Sequence, residues 1–547
     1  MSDPLSPGDE EAPLVTHADM DSIDAALQEQ RRRRTRTAFG IVASILIGLS
    51  LTVAIVGGAR RLLLDASAPQ KRSVILIIPD GFGPASESMA REFYETIHPG
   101  TPPGFALPMD KILVGTARTR SNSSLVTDSA AGATAYACGK KSYNGAIGVD
   151  PSGTPCGTVL EAAKEAGLLT GLVATSRITH ATPASFNAHV LHRDSENLIA
   201  EHQVGLGNLG VTTDLMFGGG RCHFLPSNDS ESCRLDDKNL MLTAMEHGYD
   251  VITTRAEFDA KEYKLPVLGV FTPDHMSYTI DRDPAKEPSL AEMASRAIDM
   301  LHKATKSSDK GFFLMVECSR IDMAGHSNDP AAHVWDILAC QDVVTEVKAY
   351  VDLDPGAVMV IVADHETGGM TIGRQTSPEY PIYQWMPDVL AKVHNGTERL
   401  AYYLVTLPSK IPDAKARRKH IVETVIPAWM GITDPTDAEV ACLLNSTDFT
   451  QYYVAQQCLA EMTSVRALVG WTTHGHTGVD VNLYAHGLQS GKLRGNHENI
   501  EVSAFIQEFL GLSLDPISEK LKDSITTPVF VRSGTPRFTE LHYHKQF

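Results

Sequence analysis

Short runs of apolar residues, each of strand length, recur along the chain after residue 70. They are separated by alanine-rich or amphipathic stretches of helical length. Apolar strands that alternate with helices are typical of a mostly parallel sheet wrapped by helices. The clearest runs are Val74–Ile78, Leu169–Ala174, Phe312–Val316 and Ala357–Val362. The pattern predicts an α/β fold with a mostly parallel central sheet flanked by helices.

A longer apolar run without charged residues, residues 38–58, lies near the N-terminus. Its 21 residues, at about 1.5 Å each, match the roughly 30 Å of a bilayer core. The hydrophobic region of a cleaved signal peptide would be shorter and closer to the N-terminus, and a buried core helix would show a polar face. The run therefore predicts a transmembrane helix that acts as a signal anchor.

Arginines are distributed unevenly around this span. Five lie before it, between Arg31 and Arg36, and two lie after it, at Arg60 and Arg61. The positive-inside rule keeps the arginine-rich side in the cytosol. We therefore expect a single-pass type II membrane protein whose later residues are luminal.

The hydrophobic pattern also changes within the luminal part. Residues from about 375 to 470 lose the strand rhythm and become polar and helical, which predicts an inserted cap between core elements. The predicted segments are a cytosolic tail (1–37), the transmembrane anchor (38–58), a stalk (59–71), a large domain (72–515) that contains the insertion, and a C-terminal tail (516–547).

Composition restricts the partners. With 48 basic and 66 acidic side chains, the net charge of −18 argues against a nucleic-acid partner. Four glycosylation sequons agree with a luminal location. They begin at Asn122, Asn228, Asn395 and Asn445.

Eight cysteines are ordinary usage for this length, so disulfides would be accessory and not the scaffold. Cys318 and Cys340 stand in apolar surroundings, which predicts free buried thiols. The expected local pairs are Cys222 with Cys233 and Cys442 with Cys458, with Cys138 and Cys156 as a third candidate.

Acids and imidazoles follow three of the apolar strands. Because the carboxyl ends of parallel strands lie on one edge of a sheet, these side chains are expected to meet there. Singly, each would be a turn or surface residue, but an ionised Glu317 directly after five apolar residues needs a partner or a metal. Together they predict a site for divalent cations such as zinc or magnesium. The residues are Asp80, Glu317, Asp322, His326, Asp364 and His365.

A candidate nucleophile lies in the segment Thr127–Ala135. The alanine-rich run after Ser129 favours a helix, so Ser129 would lie near the helix N-terminus, where an alkoxide or a phosphate is stabilised. Simple helix capping by Asp128 or Ser129 is the alternative. No His-Asp pair is evident beside the serine, so a metal would have to activate it.

A second strand, Leu169–Ala174, is followed by Thr179–Ser185 and then by Arg193. An arginine at this edge would bind phosphate oxygens through two parallel hydrogen bonds. As an isolated residue it would instead be a surface ion-pair partner.

From about Lys71 to about Leu512, the assembled pattern resembles the alkaline phosphatase family. Ser142–Gly148, Gly470–His474 and the anchor are similar to the fungal vacuolar, membrane-anchored members, which implies a vacuolar membrane location and a homodimer. The motifs that carry the resemblance are Pro79–Gly81, Thr127–Ala135, Thr179–Arg193, Phe217–Arg221, Glu317–His326, Ala363–Gly369 and Thr473–Gly478.

The resemblance implies two zinc ions and one magnesium ion per subunit, with Ser129 as the nucleophile and Arg193, beside Asp128, as the phosphate clamp. The reaction would be hydrolysis of a broad range of phosphomonoesters, phosphopeptides included, through a phosphoserine. The implied metal ligands are Asp322, His326 and His476 for the first zinc, Asp364, His365 and Asp80 for the second, and Asp80, Thr182 and Glu317, supported by His180, for magnesium.

Two positions depart from the family pattern. Met323 stands where members usually have His or Lys, and Cys318 where many have Gly. Since a thioether carries no charge and donates no hydrogen bond, we expect weaker phosphate retention and altered magnesium dependence.

Three other functions are alternatives to a phosphomonoesterase. A phosphodiesterase or nucleotide pyrophosphatase of the same superfamily would share the two-zinc site but lack the Thr182 and Glu317 pair. A sulfatase would need a Cys- or Ser-x-Pro-x-Arg motif, which the sequence lacks. A catalytically degenerate, glycosylated ectodomain is the third alternative.

Overall fold

The computed structural model describes residues 71–524 except 261, 262 and 447, together with residues 29, 32 and 33. The pattern of internal contacts divides the chain into two compact units, Met1–Pro69 and Gln70–Phe547. The predicted anchor (38–58) and most of both predicted tails lie outside the described residues. Among the helices that are described, none is long and apolar enough to cross a bilayer.

The second unit is built on a ten-stranded sheet with the order β14-β2-β13-β8-β1-β7-β3-β4-β6-β5. Strand β13 runs antiparallel to its neighbours β2 and β8, and the other neighbouring pairs are parallel. The ten strands are β1 (Ser73–Ile78), β2 (Leu113–Arg118), β3 (Leu169–Arg177), β4 (Leu215–Gly219), β5 (Asp250–Ile252), β6 (Val267–Val270), β7 (Phe312–Glu317), β8 (Ala357–Val362), β13 (Val481–Gly487) and β14 (Gly495–Glu498). Two small antiparallel pairs lie outside this sheet, β9 (Glu366–Thr367) with β12 (His476–Thr477) and β10 (Thr371–Ile372) with β11 (Val469–Gly470).

Helices precede and follow most strands. Within the first part of the domain they are α1 (Pro84–Ile97), α2 (Ser129–Cys138), α3 (Val159–Glu165), α4 (Ala181–Ala184), α5 (Glu196–Gln203), α6 (Leu240–Glu246), α7 (Arg255–Ala260), α8 (Leu290–Ala304), α9 (Arg320–His326) and α10 (Pro330–Leu353). The later helices are α11 (Pro387–Leu390), α12 (Thr397–Lys410), α13 (Ala414–His420), α14 (Ile426–Met430), α15 (Asp437–Asn445), α16 (Tyr452–Ala467), α17 (Asn499–Leu510) and α18 (Asp515–Leu521). Single 3₁₀ turns occur at Met109–Ile112, Arg221–Phe224, Phe449–Gln451 and Ser490–Leu493, and Ile421–Val425 is a π-helical turn.

The four apolar runs singled out in the sequence form the centre of the sheet. Strands β8, β1, β7 and β3 are consecutive neighbours and all parallel, which confirms the predicted α/β class. Every residue of β1, β7 and β8 is buried. Because such strands are covered on both faces, they show continuous apolar runs instead of alternation.

The register of these strands places their polar successors on one edge. Ile78 of β1 pairs with Glu317, the last residue of β7, and β8 runs parallel to β1 on its other side. Asp80 and Asp364 each follow their strand by two residues. The sheet therefore brings three acids together, from three segments distant in sequence.

The segment from about 375 to 470, predicted as an inserted cap, is mainly helical, from α11 to α16, with an irregular stretch at 375–386 and the short strand β11 at its end. It has a hydrophobic cluster of its own, which includes Leu404, Ile426 and Leu459 and is separate from the main core. A small core of this kind stabilises the helices without adding strands to the sheet.

Four disulfides are formed, and each cysteine among the described residues belongs to one. The expectation of free thiols at Cys318 and Cys340 was wrong. Their Cα atoms are 5.8 Å apart, across a sequence separation of 22 residues, and the sulfurs are bonded. An apolar environment suits a buried thiol and a buried disulfide equally, so the apolar neighbours of these two cysteines cannot distinguish the free state from the bonded one. The other three disulfides are the pairs expected from the sequence, Cys138–Cys156, Cys222–Cys233 and Cys442–Cys458.

The four predicted glycosylation asparagines differ in exposure. Asn122, Asn228 and Asn445 are exposed, whereas Asn395 is half-buried. Glycan attachment at these positions stays a prediction.

The disulfide between Cys318 and Cys340 is expected to contribute to stability. Closing a loop of this length restricts the unfolded chain, so replacing both residues by alanine should lower the free energy of unfolding by about 3 kcal/mol. Peptide mapping without reduction should recover the two cysteines in one crosslinked pair. Labelling of both by a thiol reagent in unreduced, denatured protein would contradict the pairing.

Candidate active site

Three carboxylates, those of Asp80, Glu317 and Asp364, converge at the carboxyl ends of β1, β7 and β8. All are buried, with at most 1% of any of them exposed. Burial, and then the neighbouring carboxylates, raise the pKa of Asp80, and burial raises the pKa of Glu317 to about 7. Burial acts to raise the pKa of Asp364 as well, but the neighbouring His365 outweighs burial and lowers it. Asp80 and Glu317 remain ionised only if cations neutralise them.

A first group of possible metal ligands consists of Asp322, His326 and His476. Asp322 and His326 are one turn apart on α9, so their side chains share a face of the helix. Asp322 Oδ2 lies 3.4 Å from His326 Nε2, and Asp322 Oδ1 lies 3.5 Å from His476 Nε2. The pKa of Asp322 is lowered: burial acts to raise it, but the three surrounding imidazoles, including His365, outweigh burial.

A second group consists of Asp80, Asp364 and His365. His365 Nε2 lies 3.2 Å from Asp364 Oδ2 and 3.6 Å from Asp80 Oδ1. The same nitrogen is 3.1 Å from Ser129 Oγ. The candidate nucleophile therefore borders the second group directly.

The two groups are adjacent. The rings of His365 and His476 stack with their centroids 3.5 Å apart. The Thr367 hydroxyl donates to Asp322 Oδ1 and lies 3.2 Å from His365 Nδ1, so it contacts one ligand of each group. Two metals bound in these groups would be near neighbours.

A third group contains oxygen atoms only. The Thr182 hydroxyl, on α4, donates to Asp80 Oδ2 over 3.5 Å. Glu317 Oε2 accepts a hydrogen bond of 2.8 Å from Ser176 Oγ. His180 lies at the N-cap of α4, and its Nε2 is 3.1 Å from Arg193 Nη2; its support of the magnesium site stays a prediction.

The donor sets fit divalent cations. Glu317 Oε1 accepts no hydrogen bond from any residue that the structure describes, and the buried oxygens Asp80 Oδ1 and Asp364 Oδ2 have only the poorly aligned His365 Nε2 as a neighbour, at 3.6 and 3.2 Å. An unsatisfied buried carboxylate oxygen is costly unless a cation coordinates it. Mixed imidazole and carboxylate ligands suit zinc, and an all-oxygen group suits magnesium.

Ser129 is the first residue of α2, as the alanine-rich run predicted. Asp128 caps this helix, because its Oδ1 accepts a hydrogen bond of 3.0 Å from Ala131 N. Asp128 therefore supplies the cap, and the adjacent Ser129 stays the candidate nucleophile. Ser129 is 1% exposed and lines a cavity of about 370 Å³, at a helix end whose dipole favours an anion.

Arg193 lines the same cavity, between Asp128 and His180. Its Nη1 donates to Asp128 Oδ2 over 3.2 Å, and its Nη2 is 3.1 Å from His180 Nε2. Asp128 Oδ2 also accepts from Gly145 N, 2.8 Å away. Nε of Arg193 has no hydrogen-bond partner in the described part of the chain, which leaves a donor for an anion.

The comparisons with known proteins agree with this geometry. The family model for alkaline phosphatase matches residues 71–512. The chain belongs to the alkaline phosphatase family. Its members hydrolyse phosphomonoesters with the help of metal ions, so this chain is an enzyme of that class.

Relatives span most of the chain. It is 46% identical to an alkaline phosphatase of Schizosaccharomyces pombe, with 86% of each chain covered. It is 40% identical to the repressible alkaline phosphatase of Saccharomyces cerevisiae, with 96% of each covered. Among solved structures, a cold-active alkaline phosphatase of Shewanella matches with a TM-score of 0.68 and 30% identity, over 80% of this chain and 99% of that one.

Some residues of the site were not singled out from the sequence. Thr367 and Ser176 orient the carboxylates, and Asn144 fixes the segment before Ser129 by accepting from Asp128 N. Thr367 follows His365 by two residues, which is the only sequence signal for it. Conversely, the ligand-like trio Cys222, His223 and Cys233 holds no thiolate, because its cysteines form a disulfide.

Gly81 sets the spacing between the two halves of the site. Its φ is +75°, and a Cβ there would lie 2.7 Å from the Cα of Asp322. Gly81→Ala should therefore displace Asp322 and lower kcat/KM by about a hundredfold or more, because small displacements are costly at a reacting centre.

Gly167→Ala is the matched control. Gly167 has a similar φ of +81° but nothing within 4 Å of the added Cβ. It should lose only the stability that a left-handed non-glycine residue costs, about 1–2 kcal/mol, and keep its activity. Equal kinetic losses in both variants would show that backbone strain, and not contact with Asp322, is the cause.

Proposed function

We propose that the chain hydrolyses a broad range of phosphomonoesters through a phosphoserine at Ser129, with two zinc ions and one magnesium ion bound beside it. The observation that carries the proposal is the position of Ser129 Oγ, 3.1 Å from His365 Nε2, at the N-terminus of α2 and in the cavity that Arg193 lines. A nucleophile, an anion clamp and two groups of possible ligands thus meet in one place.

When bound, the cations would lower the pKa of the Ser129 hydroxyl and neutralise the charge that develops on the attacking and leaving oxygens. The residues that would hold them are Asp322, His326 and His476 for one zinc, Asp80, Asp364 and His365 for the other, and Asp80, Thr182 and Glu317 for magnesium.

The chain's own residues position the phosphoryl group. Arg193 donates to the phosphoryl oxygens, and Asp128 holds its guanidinium from behind. The N-terminus of α2 adds a favourable dipole for the same oxygens. These contacts recognise the phosphoryl group and not the alcohol, which supports broad specificity.

The reaction has two displacements at phosphorus. Ser129 Oγ forms a bond to phosphorus as the bond to the alcohol oxygen breaks, and the alcohol leaves with a proton. Water then attacks the phosphoserine, which releases inorganic phosphate and restores the serine hydroxyl.

A specific arrangement favours the monoesterase over a diesterase of the same superfamily. Thr182 contacts Asp80, and Glu317 lies near enough to Asp80 for its charge to raise the pKa of that group, so a hydroxyl and two carboxylates are available for a third cation. A degenerate ectodomain would retain such a set of ligands only by accident.

We further propose that the enzyme is a homodimer, anchored in a vacuolar membrane with its catalytic domain in the lumen. The arginine-flanked apolar run supports the anchor and its orientation. Four disulfides and three exposed sequon asparagines support an oxidising lumen. Small phosphomonoesters and phosphopeptides are the proposed substrates.

Ser129→Ala is the direct test of the phosphoserine route. Phosphate release from phenyl phosphate at alkaline pH, with zinc and magnesium present, should fall by at least about 10⁴-fold, because the nucleophile is absent. The wild type, quenched in acid during turnover, should carry phosphate on the peptide that contains Ser129. Unchanged turnover in the variant would contradict the covalent route.

Met323 gives a second prediction. Its side chain is buried against Arg320, with the sulfur 2.9 Å from Nη1, and borders the cavity. Met323→His would add a hydrogen-bond donor, so the inhibition constant for phosphate should fall by about tenfold. Met323→Leu, which cannot donate either, should leave that constant unchanged. Equal constants in the wild type and Met323→His would refute this role.

A further inference from the structure

Three apolar residues adjoin the residues that line the active-site cavity, and we refer to Leu125, Val126 and Val479 as the apolar rim. Val126 lines the cavity itself, and Leu125 directly precedes it in the chain. Val479 follows the lining residue His476 by three positions. Leu125 is 80% exposed and Val479 is 48% exposed, so both are open to a ligand, although single exposed apolar residues are ordinary.

The first half of the rim is held in a fixed conformation. Val126 N donates to Ser124 Oγ over 3.1 Å, and Asn144 Nδ2 donates to the Val126 carbonyl over 3.1 Å. Ser124 N in turn donates to Ser121 Oγ over 3.0 Å. The segment before Ser129 therefore keeps Leu125 and Val126 in place without help from a ligand.

The residue before Val479 lies against the first half of the rim. A Cβ added at Gly478 would lie 3.3 Å from the Leu125 carbonyl oxygen and 3.8 Å from Val126 Cγ2. His476 Nδ1 lies 2.8 Å from the carbonyl oxygen of Thr127. Val479, which follows Gly478, is consequently a neighbour of the Leu125–Val126 segment, although the two are far apart in sequence.

The position of the rim relates it to the departing alcohol. In an in-line displacement the alcohol leaves on the side of phosphorus opposite Ser129 Oγ. With the phosphoryl group held between Ser129 and Arg193, the alcohol therefore extends away from Ser129. The residues that line the cavity around it include apolar Val126 and the polar residues His192 and Asp194.

We propose that the apolar rim binds the alcohol part of the substrate and makes the enzyme favour phosphomonoesters with apolar alcohols over those with small polar ones. This inference rests on the proposed function, because it assumes a phosphoryl group bound at Ser129. Contact with the rim removes apolar surface of the alcohol from water, at an open site where only part of each group is covered. The preference should therefore be moderate and should grow with the size of the alcohol.

A series of straight-chain alkyl phosphates tests the proposal with the full-length enzyme. Ethyl, butyl and hexyl phosphate have leaving groups of nearly equal basicity, so their kcat/KM values differ mainly through contacts with the chain. Burial of somewhat less than half of each added methylene gives about a 1.8-fold gain, so the four additional methylenes of hexyl phosphate should raise its kcat/KM about tenfold over that of ethyl phosphate in the wild type. In the double variant Leu125→Ser and Val479→Ser this ratio should fall to about two.

Leu353→Ser is the matched control, since Leu353 is 85% exposed at the end of α10. It should keep the tenfold ratio. A loss of the chain-length dependence in this control would show a general effect of surface polarity and overturn the assignment to the rim.

Other outcomes are equally decisive. A flat series in the wild type, or an equal loss for all three esters in the rim variant, would refute the proposal while leaving the phosphatase intact. A change of sedimentation behaviour in the rim variant would assign these residues to a contact between copies of the chain and also refute it. Absence of hydrolysis of every ester by the wild type would instead refute the proposed function, and the inference with it.

Discussion

The repulsion among buried carboxylates is the constraint on which the site depends. Asp80, Glu317 and Asp364 are buried side by side because the three neighbouring parallel strands β1, β7 and β8 end at the same edge of the sheet. Because the strands are hydrogen-bonded in a fixed register, these three carboxylates cannot move apart. Burial therefore raises the pKa of Glu317 to about 7 in the absence of a cation, and bound divalent cations would restore its ionised form.

The rest of the site follows from that charge. His365 and His476 bring nitrogen ligands next to the acids, and the N-terminus of α2 directs Ser129 at the same point. Metal ions and Arg193 would together make the local charge positive in a chain whose net charge is −18. An anionic substrate is then attracted to an acidic protein, which its overall charge alone would oppose.

Much of this arrangement could be predicted from the sequence, for identifiable reasons. A strand covered on both faces is apolar at every position, so β1, β7 and β8 were visible as uninterrupted runs followed by acids. The alanine-rich run located the helix that begins at Ser129. These signals are local in the sequence, and they are enough to predict which edge of the sheet carries the acidic and imidazole side chains.

Contacts between distant side chains left no such signal. The bond between Cys318 and Cys340 depends on the packing of α10 near the end of β7, and apolar neighbours gave the wrong expectation of free thiols. The proximity of Gly478 to the segment before Ser129 likewise depends on tertiary structure alone. Thr367 was missed because a threonine two residues after a histidine has no distinguishing pattern.

The most direct test is the metal content of the purified full-length enzyme, measured by mass spectrometry of the elements after dialysis against metal-free buffer. We expect two zinc ions and one magnesium ion per chain, and loss of the magnesium ion alone in Glu317→Gln. A folded wild-type chain that hydrolyses phosphomonoesters and contains no divalent cation would contradict it.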